Sequence, residues 1–158
     1  FEGELFWRDE AISESRDQFV SELLFIGHQT GVSLLLTAEE NLRWQCALHP
    51  SLDENKIAYA LEQVGLRGFE DVPAHQLSAG QKRRIALAKM YMSRAALWVL
   101  DEPFTAIDKI GVAAKESLML DHIAQGGSVI MTTHQDLSAD MPVHTLNVEA
   151  FAKSERVW

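Results

Sequence analysis

Three short apolar runs constrain the fold of this chain more than any other feature: Glu22 to Gly27, Ala96 to Asp101 and Ser128 to Thr133. Each is bounded by polar residues and lacks a wholly polar face, so each reads as a strand of a sheet covered on both sides. Gly3 to Arg8 reads as a further strand, and His144 to Val148 as a fifth. Helix starts lie between the runs. Thr37-Ala38-Glu39-Glu40 and Ser51-Leu52-Asp53-Glu54 match the capping box, in which a hydroxyl and a carboxylate satisfy orphan amides reciprocally. They open expected helices over 38–48 and 53–64, the second stopped by Gly65. Ser78-Ala79-Gly80-Gln81 fits the same box and opens a third helix to about Arg94, and Asp108 caps a fourth that ends before Gly126-Gly127. Strand, helices, strand, helix, strand is an α/β order with a helical insertion. The run Leu34-Leu35-Leu36 is expected in the core.

Composition narrows the function. With 158 residues, 47% of them hydrophobic, the chain can bury one core, and a single domain is expected. A net charge of −9 repels phosphate backbones, which argues against a nucleic-acid partner. A lone cysteine, Cys46, fits a buried structural thiol in a reducing compartment. No stretch approaches the ~18 consecutive apolar residues of a membrane span, so direct membrane insertion is not expected. There is no basic start followed by an apolar stretch of a secretory signal, and the chain opens on Phe1, so it reads as a piece of something longer.

The chemistry-bearing residues sit at the ends of these elements. Leu100-Asp101-Glu102-Pro103 ends an apolar strand in paired carboxylates, at the sheet edge where α/β folds bind ligands. There an Asp can hold Mg²⁺ and a following Glu can act as base toward water; a polar strand end before a Pro-initiated turn is the plain alternative. A helix opening Ser-Ala-Gly presents unpaired amides and a positive dipole end to an anion, although the capping box alone also explains Ser78 and Gln81. Lys82-Arg83-Arg84 lies at the wrong end of that helix for its dipole, which points to acidic neighbours, an anion or a solvated face. His134 ends another apolar strand and could donate to a phosphate or position water, or be a surface residue. Gln29 could ligate Mg²⁺ through its amide oxygen.

Taken together, Gln29, Leu77-Ser78-Ala79-Gly80-Gln81, Leu97 to Pro103, Thr105-Ala106-Ile107-Asp108 and Thr132-Thr133-His134 resemble, in order, the Q-loop, signature, Walker B, D-loop and switch histidine of ABC ATPases. The resemblance runs from Gly3 to about Val148. It implies a P-loop NTPase three-layer α/β fold with an inserted helical subdomain: one partial domain over 1–158, with about 37–94 as helical subdomain and signature helix. It also implies ATP and Mg²⁺. Gln29 would sense the metal and a membrane partner, and Asp101 would serve Mg²⁺. Glu102 would polarise the attacking water, and His134 would hold the γ-phosphate. Leu77, Ser78, Ala79, Gly80 and Gln81 would meet the nucleotide on a second copy of the subunit, and Asp108 would cross the dimer interface. Within the family, the wording of 24–29, 77–81 and 97–109 is similar to ATP-binding subunits of the haem exporters of bacterial cytochrome c maturation. This implies integral membrane transporter subunits as partners and a peripheral place on the cytoplasmic face of the bacterial inner membrane.

Two departures stand out. Ala79 replaces one glycine of the commonest signature, and no Gly-rich loop carrying a Lys occurs in these residues. That loop supplies most of the phosphate grip in such sites, so it is expected upstream of Phe1, and the chain alone is expected to be inactive. Two other classes remain open: a soluble ABC-type ATPase acting on nucleic acid, which would carry basic patches and long insertions, and a non-catalytic interaction fragment.

Overall fold

A computed structural model describes residues 3–105 and 109–148. The expected first strand is instead a hairpin: β1 (Phe6–Trp7) pairs antiparallel with β2 (Glu10–Ala11). Arg8 and Asp9 turn it with φ of 51° and 65°, the left-handed pair of a two-residue hairpin that sequence usually announces with Asn-Gly. No such signal is present. Tertiary contacts pin the turn: Glu22 Oε2 accepts from Trp7 Nε1 (3.2 Å) and from Arg8 Nε (2.8 Å). A short helix, α1 (Arg16–Ser21), follows with no side-chain cap, which is why its start is silent in the sequence.

The three apolar runs become β3 (Leu23–Ile26), β4 (Leu97–Asp101) and β5 (Ser128–Thr132), a parallel sheet in the order β3-β4-β5. Register places Leu24, Trp98 and Val129 in one row and Ile26, Leu100 and Met131 in the next. Leu24, Ile26, Trp98 and Leu100 are buried in the core, with Val129 and Met131 packed against it. The opposite face carries the aligned row Phe25, Val99, Ile130, with Phe25 59% and Ile130 60% exposed. Cover on both faces therefore holds for one face only among the described residues.

Between β3 and β4 lie α2 (Ala38–Leu48), α3 (Ile57–Gln63) and α4 (Ala79–Met92). The Thr37 box forms as expected, with Glu40 N donating to Thr37 Oγ1 and Thr37 N to Glu40 Oε2. The Ser51 box does not form. Ser51 is buried and its carbonyl accepts from Arg94 N at 2.7 Å; the Asp53 side chain caps instead, opening a 3₁₀ turn (Glu54–Lys56) ahead of α3. Gly65, at φ 69°, ends that helix as expected. The central helix is α4: Ile85, Ala86, Leu87, Ala88, Met90 and Met92 are all buried. Arg84 leaves the basic run to donate to the Gly65 carbonyl at the end of α3.

The last helix, α5 (Lys109–Ala124), leads into β5; its expected cap, Asp108, lies outside the described residues. His144 to Val148 is not a strand, since 142–147 have no regular structure. The Leu34-Leu35-Leu36 run is not core either. The Leu34 and Leu36 carbonyls accept from His75 and Ala74 N, anchoring the backbone while Leu34 and Leu35 stay 51% and 88% exposed. Cys46 packs beside the core, where burial raises its thiol pKa.

Candidate active site

The carboxyl ends of β4 and β5 bring four side chains together. Thr132 Oγ1 donates to Asp101 Oδ1 at 2.6 Å, leaving the other carboxylate oxygen outside that bond. The Glu102 amide donates to both the carbonyl (3.1 Å) and Oγ1 (3.2 Å) of Thr132. Glu102 itself has φ 49°, a left-handed conformation that costs a non-glycine residue about 1–2 kcal/mol. The turn aims its carboxylate at the next strand end, where Oε1 stands 3.6 Å from His134 Nε2. His134 is almost wholly exposed, and the Glu102 side chain is largely covered. A carboxylate beside an imidazole at an open sheet edge can take a proton from water while the imidazole donates to an anion.

Magnesium characteristically keeps several waters and takes one or two carboxylates plus phosphate oxygens, rather than a protein cage. Asp101, with one oxygen turned from Thr132, fits that role. Among the described residues no three His, Cys, Asp or Glu side chains gather to cage a metal.

The other expected residues lie apart from this cluster. Leu77 is buried, while Ser78 and Ala79 are exposed at the start of α4. Gln81 N donates to Ser78 Oγ (3.2 Å) and Ser78 N to Gln81 Oε1 (2.9 Å), so the capping box uses both side chains locally. A Cβ at Gly80 would meet only Ser78 Oγ, at 4.0 Å, so the approach to the helix end is open. Gln29 lies beyond β3, exposed and with no hydrogen bond among the described residues. Asp108 again falls outside them.

Sequence reasoning missed two members. Thr132 is one, legible only as part of the Thr-Thr-His run. Arg83 is the other: rather than pairing with an acid or facing solvent, it is 8% exposed and donates to the carbonyls of Gly27 (2.6 Å), Asp101 (2.7 Å) and Glu102 (3.0 Å). Burial lowers its pKa, and the charges of Asp101 and Glu102 partly offset that. Its signal was the cation placed against the helix dipole.

A parallel sheet with helices inserted between two of its strands and with Asp101 and Glu102 at its carboxyl edge is an α/β arrangement of the kind that binds ligands at that edge. Residues 1–105 match the family described as ABC transporter, and the chain belongs to that family. It is 58% identical over 142 residues to the cytochrome c biogenesis ATP-binding export protein CcmA of Vibrio vulnificus (strain YJ016), spanning 89% of this chain and 69% of the relative. The protein of that name from Hahella chejuensis (strain KCTC 2396) is 52% identical over 149 residues, 94% of this chain and 71% of the relative. Solved structures agree on the fold. A dimeric ATP-binding cassette in a post-hydrolysis state, bound to ADP and phosphate, superposes with TM-score 0.71 at 22% identity, over 85% of this chain and 63% of that one. An ATP-binding protein of a putative ABC transporter from Pyrococcus furiosus gives 0.68 at 24% identity, over 87% and 67%.

Proposed function

We propose that the chain is the larger part of an ATP-binding subunit of an export transporter serving cytochrome c biogenesis, carrying haem or a haem-linked substrate. Kinship to proteins named for that export supports the reading, and the observation that carries it at the level of chemistry is the Glu102–His134 pair beside Asp101. Glu102 takes the proton of the attacking water, and His134 donates to the γ-phosphate as charge develops on it. Asp101 would hold Mg²⁺, which would supply charge neutralisation when bound; Gln29 is the second candidate ligand for that ion. Residues 77–81 belong to the site on a second copy of the subunit, as does Asp108. Exposure of both His134 and Ser78 favours a site completed by another chain.

Integral membrane subunits would carry the substrate and hold this one at the cytoplasmic face of the bacterial inner membrane. No helix among the described residues is long and apolar enough to cross a membrane. As one partial domain, with about 37–94 as its helical subdomain, the 158-residue chain alone is expected not to bind Mg-ATP tightly, because no Gly-rich loop occurs in it. Calorimetric titration checks this, and micromolar affinity would overturn it.

The test of the chemistry uses a completed subunit, this chain joined to the portion of the Vibrio vulnificus relative that it does not span. There Glu102→Gln should keep nucleotide binding and lower turnover by roughly 10²–10⁴, the range of a lost general base. Turnover near the parental rate would remove Glu102 from the role.

A further inference from the structure

The Glu102 turn is held from two sides, and one of them is not part of the strand ends. A non-glycine residue in the left-handed region persists only where its surroundings over-determine it. Thr132 fixes the amide side of Glu102 through two acceptors, at 3.1 and 3.2 Å. Its carbonyl side is fixed by Arg83 Nη2 at 3.0 Å, and the same nitrogen reaches the Asp101 carbonyl at 2.7 Å. Arg83 Nη1 meanwhile binds the Gly27 carbonyl just beyond β3 at 2.6 Å. One planar fork thus spans the carboxyl ends of two adjacent strands.

Burying a guanidinium on neutral carbonyls is costly unless the geometry satisfies its donors. Here three carbonyls at two strand ends meet those donors, so the side chain fixes backbone geometry at the same time as it satisfies its own charge. Arg83 also lies in the second turn of α4, five residues after Ser78, so the same side chain ties the start of the signature helix to the turn that aims Glu102.

We propose that Arg83 is a positioning residue for ATP hydrolysis: its fork holds the backbone turn that aims the Glu102 carboxylate at the attacking water. The inference rests on the reading of Glu102 as the base. Lysine cannot replace it, because a single ammonium offers one point of attachment where the guanidinium spans two strand ends.

The experiment is a double-mutant cycle of Arg83→Lys and Glu102→Gln in the completed subunit, read by single-turnover hydrolysis and Mg-ATP affinity. Arg83→Lys should lower the hydrolysis rate about 10²-fold, the scale of a misplaced catalytic group, with affinity changed less than about threefold. In the Glu102→Gln background it should cost nothing further, because there is no base left to aim. A general structural role would instead lower affinity and multiply with Glu102→Gln. If Glu102→Gln is slow while Arg83→Lys stays within about threefold of the parent, or if the two losses multiply, the Arg83 inference is overturned and the base stands. If Glu102→Gln itself turns over normally, the base reading fails and takes this inference with it. Should Arg83→Lys not fold, Arg83→Gln, which keeps a neutral donor at the same carbonyls, completes the cycle under the same criteria.

Discussion

At the scale of single residues, position and exposure separate chemistry from packing. His134 and His122 show the contrast. His134 is exposed against Glu102, so His134→Ala in the completed subunit should leave nucleotide affinity nearly unchanged while costing roughly 3 kcal/mol of transition-state stabilisation, or more than a hundredfold in turnover. An unchanged turnover number would return His134 to the surface. His122, by contrast, is a packed side chain, its ring stacked on Trp98 with centroids 4.0 Å apart and planes 8° apart. Burial lowers its pKa, partly offset by backbone groups of Ser128 and Ala96, and burial also lowers that of His49. A lowered folded-state pKa means the unfolded chain takes up the proton first. The contribution of these two groups to stability is therefore full above about pH 6.5 and falls as pH drops below it toward the folded values. His122→Phe should remove part of that loss in denaturant melts at pH 5 and 7.5; an unaltered pH dependence would assign it elsewhere. Gly127 closes over the same ring, and a Cβ there would overlap it. Gly127→Ala should thus expel His122 from its stack and destabilise by about 1–3 kcal/mol, visible as a lowered Tm.

At the scale of elements, local chemistry decided what could be read in advance. The α2 boundaries follow from Thr37 and Glu40 because both halves of the box are made, and Thr37→Ala should cost about 1 kcal/mol in urea unfolding. A loss under a few tenths would mean the box is ornamental. Asn41, in the following turn, carries what sequence did not show: its Oδ1 accepts from Ser33 N and its Nδ2 faces the carbonyls of Ser33, Leu36 and Thr37. That network holds the segment bearing Leu34 and Leu35 with their side chains outward. Ser51 spelled the same box as Thr37, yet it is buried where the backbone of 51–53 pairs with that of 92–94, and Asp53 caps instead. The strands β3, β4 and β5 were legible as apolar runs, but hydrophobicity records what a strand prefers rather than what lies over it; the row Phe25, Val99, Ile130 is apolar and two of its members are exposed. Likewise the order of Asp101, Glu102 and His134 was legible, whereas the holds on Glu102 from Thr132 and Arg83 come from residues 30 positions downstream and 19 upstream. Pairings of that separation leave no local pattern.

At the scale of the whole molecule, the candidate residues fall into two groups. Glu102 and His134 lie at the strand ends, while Ser78 and Gly80 open α4 with their helix end unobstructed. If residues 77–81 complete the nucleotide site of a second subunit, a defect there acts in trans, and arrangement rather than number of mutations decides the outcome. The test uses completed subunits, Ser78→Arg, and replacement of the lysine in the Gly-rich loop. A mixed dimer of one Ser78→Arg subunit and one lysine-deficient subunit places both defects at one site and leaves the other whole, so it should hydrolyse ATP although each variant alone does not. A mixed dimer of one unaltered subunit and one carrying both changes should be inactive, because its two sites each lose one part. If the signature instead served the nucleotide of its own chain, the two results would exchange: the first mixture would be dead, and the second would keep one working site. Activity of the second mixture with silence of the first therefore overturns the assignment of residues 77–81 to the partner's nucleotide.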